Sequence, residues 1–279
     1  MTTGDDVRRT RLVLVHGSRL SATQWVPQTT RLAAAPDAYP WLEVVTPDLP
    51  GHGGRSREPF TLDRAVGAVA AAVEGEPERQ ARAPETAGSG LDPVVVPVDP
   101  TGPRVVLAGH SLGGYVAATY AATFPRRLDG LVLLGSAAIP RGAGATAYRA
   151  VAALTERAGP ERMTRVNDRV LGRLYASDLV EPVVAGGYWF TPTRAAWREV
   201  MARCGPHQLR GVTGPVLLAG GGYDQLMLDA SRYARSAPRA RVVRIPGAGH
   251  FAGFDRPDEV TALLLEFVRG VADGTLGRP

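Results

Sequence analysis

Along the 279-residue chain, short runs of branched and leucine-rich side chains alternate with longer alanine-rich stretches. That is the rhythm of strands and helices in an α/β sheet. The strand-like runs cover residues 12–15 (LVLV), 43–46 (EVVT), 105–108 (VVLA), 131–134 (LVLL), 216–218 (VLL) and 242–245 (VVRI). Continuous apolar runs of this length suit strands covered on both faces of a parallel sheet. The intervening pattern predicts helices over 22–34, 62–74, 112–123, 226–236 and 257–270. The last opens with Pro257 and Asp258, a proline and an acid in the first turn. The expected architecture is a mostly parallel sheet flanked by helices.

Two stretches break the alternation. Residues 75–103 are rich in proline, glycine and acid and lack a helical period, so they are expected to form a flexible insertion. Residues 137–212 show no strand rhythm but carry helical segments with apolar and aromatic positions, among them Met163, Val170, Leu174, Tyr188, Trp189, Phe190, Trp197 and Met201. A small helical cap inserted between two late strands is expected there, with residues 1–136 and 213–279 forming the core.

Composition narrows the chemistry. All 32 basic residues are arginine, so mechanisms that require a lysine amine are excluded, Schiff-base formation and a P-loop lysine among them. With Cys204 as the single cysteine, an intramolecular disulfide and a CxxC pair are excluded. The five histidines His16, His52, His110, His207 and His250 remain for proton transfer. The net charge of +5 would fit a nucleic-acid partner only if the arginines were gathered, and they are scattered singly or in pairs. No nucleic-acid partner is therefore expected. Met1 to Thr10 carry two aspartates and no apolar core of a signal peptide, and no run approaches a membrane span. A cytoplasmic location and no membrane partner are the default expectations.

The most informative segment is VVLAGHSLGGYVAATYAATFP, residues 105–125, which places Gly109-His110-Ser111-Leu112-Gly113 between a predicted strand and a predicted helix. That is the context of a nucleophile elbow, a strained turn that lifts a serine hydroxyl to the N-terminus of the following helix. The Leu112 amide then points toward the spot where an oxyanion would form. The bland alternative for Ser111 is an ordinary helix N-cap.

The first strand runs into His16-Gly17-Ser18-Arg19, and the second is followed by Asp48-Leu49-Pro50-Gly51-His52-Gly53-Gly54-Arg55-Ser56. With these turns the chain resembles the α/β-hydrolase family, in its serine-nucleophile esterase and thioesterase branch. Members carry an HG turn after the first strand and a D-x-x-G-x-G-x-S stretch after the next. Only the DxxGHG part matches in register here, because one residue is inserted before Ser56. The resemblance implies that the residue after HG, Ser18, supplies the second oxyanion amide, with Arg19 a weaker candidate that also borders the substrate. It further implies the chain order serine, acid, histidine for the triad. Val216 to Asp224 ends one late strand with an aspartate, and Ile245 to His250 ends the next with a histidine. Ser111, Asp224 and His250 are thus the implied triad, with Ser18 and Leu112 as the oxyanion hole.

Asp224 also fits a helix cap, which would leave Asp229, inside the predicted helix 226–236, as the other acid. Of the remaining histidines, His110 is expected to point away from the site, and His16 to support the turn. His52 is expected to sit in a structural loop within reach of the entrance, and His207 to lie on the surface. Tyr188, Trp189, Phe190 and Trp197 of the cap are candidate substrate contacts, although aromatic positions are more often core. Cys204 is expected to be a small buried hydrophobe.

The implied function is a hydrolase without cofactor or metal, cleaving an ester, thioester or lactone of a small apolar molecule, free or linked to a carrier protein or CoA. Haloperoxidase-like chemistry, C–C bond hydrolysis, a cyclising thioesterase and a non-catalytic binder on the same fold stay open at the level of sequence.

Overall fold

The computed structural model describes residues 7–75, 101–142, 153 and 155–276. Except for its ends, the expected insertion at 75–103 lies outside them. Six strands form one sheet: β1 Thr10–Val15, β2 Leu42–Val45, β3 Arg104–His110, β4 Gly130–Leu134, β5 Val216–Gly221 and β6 Ala240–Ile245, in the order β2-β1-β3-β4-β5-β6. All five strand pairings are parallel. The four inner strands are buried almost throughout, as their unbroken apolar runs require, whereas β6 is an edge strand with Val242 exposed.

Alternation along the inner strands splits the core between the two faces of the sheet. Val13, Val15, Leu107, Leu131, Leu133 and Leu218 pack on one side. The helices there are α2 (Leu62–Glu74) and α3 (Leu112–Thr123). Leu12, Leu14, Val106, Ala108, Val132, Leu134 and Leu217 pack on the other. α1 (Val26–Ala33) covers that side, and so does the C-terminal helix Pro257–Ala272. The chain reverses cleanly at α2, where Thr61 Oγ1 accepts from Arg64 N–H at 3.2 Å and Gly75 closes the helix in a left-handed conformation.

Between β4 and β5 the described residues form helices and no strand: α4 Pro160–Leu174, α5 Ser177–Gly186 and α6 Thr193–Arg203. The remaining helices are α7 Ala230–Ser236, the short α8 Ala252–Asp255 and α9 Pro257–Ala272. Two of the predicted helices are split. Residues 22–34 begin as a 3₁₀ turn, Ala22–Trp25, before Pro27 in the first turn of α1. Residues 226–236 divide into a 3₁₀ turn, Gln225–Met227, and α7, because Asp224 takes the Leu226 amide into a local cap. No described helix is long and apolar enough to cross a membrane.

A third apolar cluster lies away from the sheet. Leu20, Val183 and Phe254 are buried in it, with Leu171, Tyr175, Leu179, Tyr188 and Phe251 packed around them. It joins α4 and α5 to the turn after β1 and to the residues that follow His250.

Candidate active site

The sheet register brings the loops that matter to one edge. Val15 pairs with Gly109, His110 with Leu134, Leu134 with Ala219, and Gly221 with Ile245. The segments after these strands, with Ser18, Ser111, Asp224 and His250, therefore emerge at the C-terminal ends of neighbouring strands, where α/β sheets open their clefts.

Ser111 sits between β3 and α3 with φ 52° and ψ −117°, a left-handed conformation costly for a residue with a side chain. The close fit of α3 against β1 holds it there. A Cβ on Gly113 would meet the Val15 carbonyl oxygen and lie 2.6 Å from that of His16. Ser111 donates its backbone N–H to Leu134 O at 2.9 Å, and its hydroxyl lies 3.0 Å from His250 Nε2. His250 Nδ1 is 3.1 Å from each oxygen of the Asp224 carboxylate. Because a carboxylate only accepts, the Nδ1 proton points at Asp224, and the Nε2 lone pair is left for the Ser111 hydroxyl. Asp224 is 3% exposed. Burial works to raise its carboxyl, but the bond from and charge of His250, with the Leu226 amide, outweigh it and hold the group below the usual range.

Ser111, His250 and Asp224 thus come together, and Asp229 does not join them. It precedes α7 rather than lying within it, accepts from Ile139 N–H at 2.9 Å and pairs with Arg232 at 3.2 Å. The arrangement can move a proton from a hydroxyl to an imidazole backed by a carboxylate.

The oxyanion candidates lie on the turns expected of them. Leu112 N–H is the first amide of α3, without an intrahelical acceptor. Ser18 follows Gly17, whose N–H donates to Gln24 Oε1 at 2.7 Å and pins the turn; Ser18 Oγ is buried without a partner. Arg19 has φ 70°. Its carbonyl accepts from Trp189 N–H at 2.8 Å, and its guanidinium lies over the Phe190 ring at 5.8 Å. Tyr188 stacks against Phe190 with centroids 6.2 Å apart. These three aromatic residues are partly buried above the turn. Trp197 differs from them: it is 5% exposed, edge-on to Tyr115 at 5.8 Å and part of the main core. Its place on the inward face of α6 makes it packing rather than a substrate contact.

Three histidines are buried and neutral. His16 is pushed down to about 4, chiefly by burial. Its Nδ1 donates to Gly17 O at 2.8 Å and its Nε2 accepts from Leu49 N–H at 2.9 Å, so it supports the turn. His52 is pushed to about 3 by burial and by His16, and is fully enclosed rather than at an entrance. His110 also falls to about 3, through burial and the neighbouring His250. His110 does not point away from the site. Its Nε2 donates to His250 O at 2.9 Å, with the two rings 4.8 Å apart.

Three further residues act on the site without a sequence signal strong enough to name them. Gly135 at the end of β4 has φ 58°, and a Cβ there would lie 2.7 Å from Asp224 Oδ2 and 3.2 Å from His250 Nδ1. Its position directly after the LVLL run was the available clue. Asp255 accepts from Gly249 N–H at 2.7 Å and so fixes the backbone before His250. Tyr175, at the end of α4, donates to the other oxygen of Asp255 at 2.9 Å, which ties the helical segment to the histidine loop.

Comparison with known proteins agrees with this layout. The family model described as the alpha/beta hydrolase family matches residues 12–263. A pimeloyl-[acyl-carrier protein] methyl ester esterase of Stenotrophomonas maltophilia is 32% identical, over 94% of this chain and 95% of its own length. The dihydrolipoyllysine-residue acetyltransferase component of an acetoin cleaving system from Pseudomonas putida is 27% identical over 93% of this chain, which spans only 64% of that relative. Among solved structures, an esterase from Thermogutta terrifontis superposes with a TM-score of 0.65 at 24% identity, covering 95% of this chain and 92% of the other. The enol-lactonase of Burkholderia xenovorans gives 0.64 at 20% identity, with 94% and 92% covered. At these identities the two structures speak to the fold alone.

Proposed function

The chain belongs to the alpha/beta hydrolase family and is a hydrolase, and from that premise we propose that it cleaves an ester, thioester or lactone through an acyl-enzyme on Ser111. The observation that carries this reading is the unbroken chain Ser111 Oγ, His250, Asp224, at 3.0 and 3.1 Å. Ser111 Oγ adds to the carbonyl carbon while its proton passes to His250 Nε2, and Asp224 stabilises the imidazolium that forms. The amides of Leu112 and Ser18 hold the tetrahedral oxyanion, each contributing on the order of 3 kcal/mol. Collapse expels the alcohol or thiol with the proton from His250. Water, activated by the same imidazole, then releases the acid.

The helices α4, α5 and α6, the described part of the expected segment 137–212, act as a cap over the sheet core. The cluster of Leu20, Leu171, Leu179, Val183, Phe251 and Phe254 at their junction packs the helical segment against the loop that carries His250. The full-length likeness to a methyl ester esterase that acts on a carrier-linked acyl group favours the ester over the haloperoxidase-like and C–C hydrolase alternatives, and admits a carrier-linked substrate.

Ser111→Ala is the test. Turnover of p-nitrophenyl esters falls by on the order of 10³-fold or more while the thermal unfolding transition is kept. A variant within about tenfold of the parent removes Ser111 from the mechanism.

A further inference from the structure

Resting on the serine-hydrolase reading, we propose that Arg19 recognises an anionic group on the substrate, and that the substrate class is a monoester carrying a free carboxylate at the far end of its acyl chain.

Arg19 is a partly buried cation that, among the described residues, forms no ion pair with a carboxylate. Arg11, Arg31, Arg55, Arg203 and Arg241 each lie within 4.0 Å of an acidic side chain. The contacts of the Arg19 guanidinium are instead the Thr155 hydroxyl, at 3.4 Å from Nη2, and the face of Phe190. Its Nε is buried with no acceptor. An enclosed N–H without a partner is unfavourable, and more so when the group is charged. The Tyr188 hydroxyl beside Phe190 is held above its ordinary range by burial and by Asp168 of α4.

The backbone argues in the same direction. Arg19 is held in a left-handed conformation, which a non-glycine residue keeps only where its surroundings over-determine it. Here the Trp189 amide grips its carbonyl, and the following residue, Leu20, is buried in the apolar cluster. The turn is thus fixed so that the guanidinium lies under the aromatic segment 188–190, one residue from the proposed oxyanion amide of Ser18. Phe190 covers one face of the fork, Nη2 reaches the Thr155 hydroxyl, and the enclosed Nε–H is left without an acceptor. A single guanidinium matches one carboxylate in charge and in fork geometry. The ester carbonyl then lies at Ser111 and the terminal carboxylate meets Arg19.

The test compares p-nitrophenyl hydrogen adipate with p-nitrophenyl methyl adipate, its uncharged counterpart, in the parent, Arg19→Gln and Arg19→Lys proteins. The parent prefers the anionic ester in kcat/KM by on the order of 10- to 100-fold, as expected of a charged hydrogen bond. Arg19→Gln brings the ratio to about one, and Arg19→Lys restores part of it. A parent ratio near one, or a ratio unchanged in Arg19→Gln, overturns the proposal while leaving the esterase reading standing. Because a substitution in this strained turn can impair folding, the parent protein supplies a second readout. Adipate, but not dimethyl adipate at equal ionic strength, slows fluorophosphonate labelling of Ser111; equal effects overturn the proposal. If no ester turns over and nothing labels, the hydrolase reading falls. Adipate binding by calorimetry that is present in the parent and lost in Arg19→Gln then upholds the anion site, and its absence from the parent overturns that as well.

Discussion

Acid should unfold this protein well above the range in which its carboxylates titrate. His16, His52 and His110 are enclosed and neutral, with values near 4, 3 and 3 against 6.5 in an unfolded chain. Each is also locked into one tautomer. A proton on His16 Nε2 would confront the Leu49 N–H, and one on His110 Nδ1 or His52 Nε2 would be buried with no acceptor. Below pH 6.5 the unfolded chain therefore binds protons that the folded one refuses, so stability is lost as pH falls. At pH 5 the folded state is still neutral at all three sites, and each histidine contributes about 2 kcal/mol of destabilisation relative to pH 8, about 6 kcal/mol together. That is a large share of the 5–15 kcal/mol typical of a folded domain. Urea unfolding followed by circular dichroism at intervals from pH 8 to pH 5 measures it. The slope near pH 5 should correspond to the uptake of about three protons on unfolding. His110→Gln, whose amide can still donate to His250 O, should lower that to about two. Equal stability at pH 5 and pH 8, to within about 1 kcal/mol, would refute the assignment of three buried neutral imidazoles.

Other consequences are local. Asp224→Asn should lower kcat by on the order of 10⁴-fold, because an amide no longer fixes the His250 tautomer, whereas Asp229→Asn should reduce thermal stability and leave kcat within about tenfold. Gly135→Ala forces a side chain into a left-handed conformation and against Asp224 Oδ2 at 2.7 Å. It should therefore cost roughly 1–2 kcal/mol in a thermal melt and reduce ester turnover more than stability. Cys204 is fully buried with its thiol pushed up to about 11, so Ellman's reagent should titrate no thiol at pH 8 until denaturant is added.

Much of the layout was legible in the sequence because short apolar runs that end in glycine-marked turns and alternate with helical stretches suit the strands of a parallel sheet. Strand ends were less so: β1 and β6 begin two residues before their apolar runs, β2 one residue before, and β5 runs three residues beyond, because ladder pairing extends past the residues whose side chains pattern reveals. Ser111, Asp224 and His250 were findable because each follows a strand in a glycine-marked turn, and the structure brings them together. His110 was misplaced because the elbow fixes only the serine, whereas the direction of the preceding ring depends on the loop of residue 250. Trp197 was misjudged for the opposite reason. A helix with aromatic and charged positions does not announce which face meets the core, and here Tyr115 occupies the space beneath it. The Tyr175–Asp255–Gly249 bridge joins residues 80 positions apart, a distance over which local patterning is silent.

The central claim is that Ser111 is the nucleophile, and the all-arginine composition makes it simple to test. Trypsin cleaves after Arg104 and Arg126, releasing residues 105–126 as a peptide in which Ser111 is the single serine. After treatment of the folded protein with a fluorophosphonate, mass spectrometry should find the phosphonyl adduct on Ser111 in that peptide, and Ser111→Ala should abolish it. A folded protein that leaves the peptide unmodified, or carries the adduct elsewhere, contradicts the account.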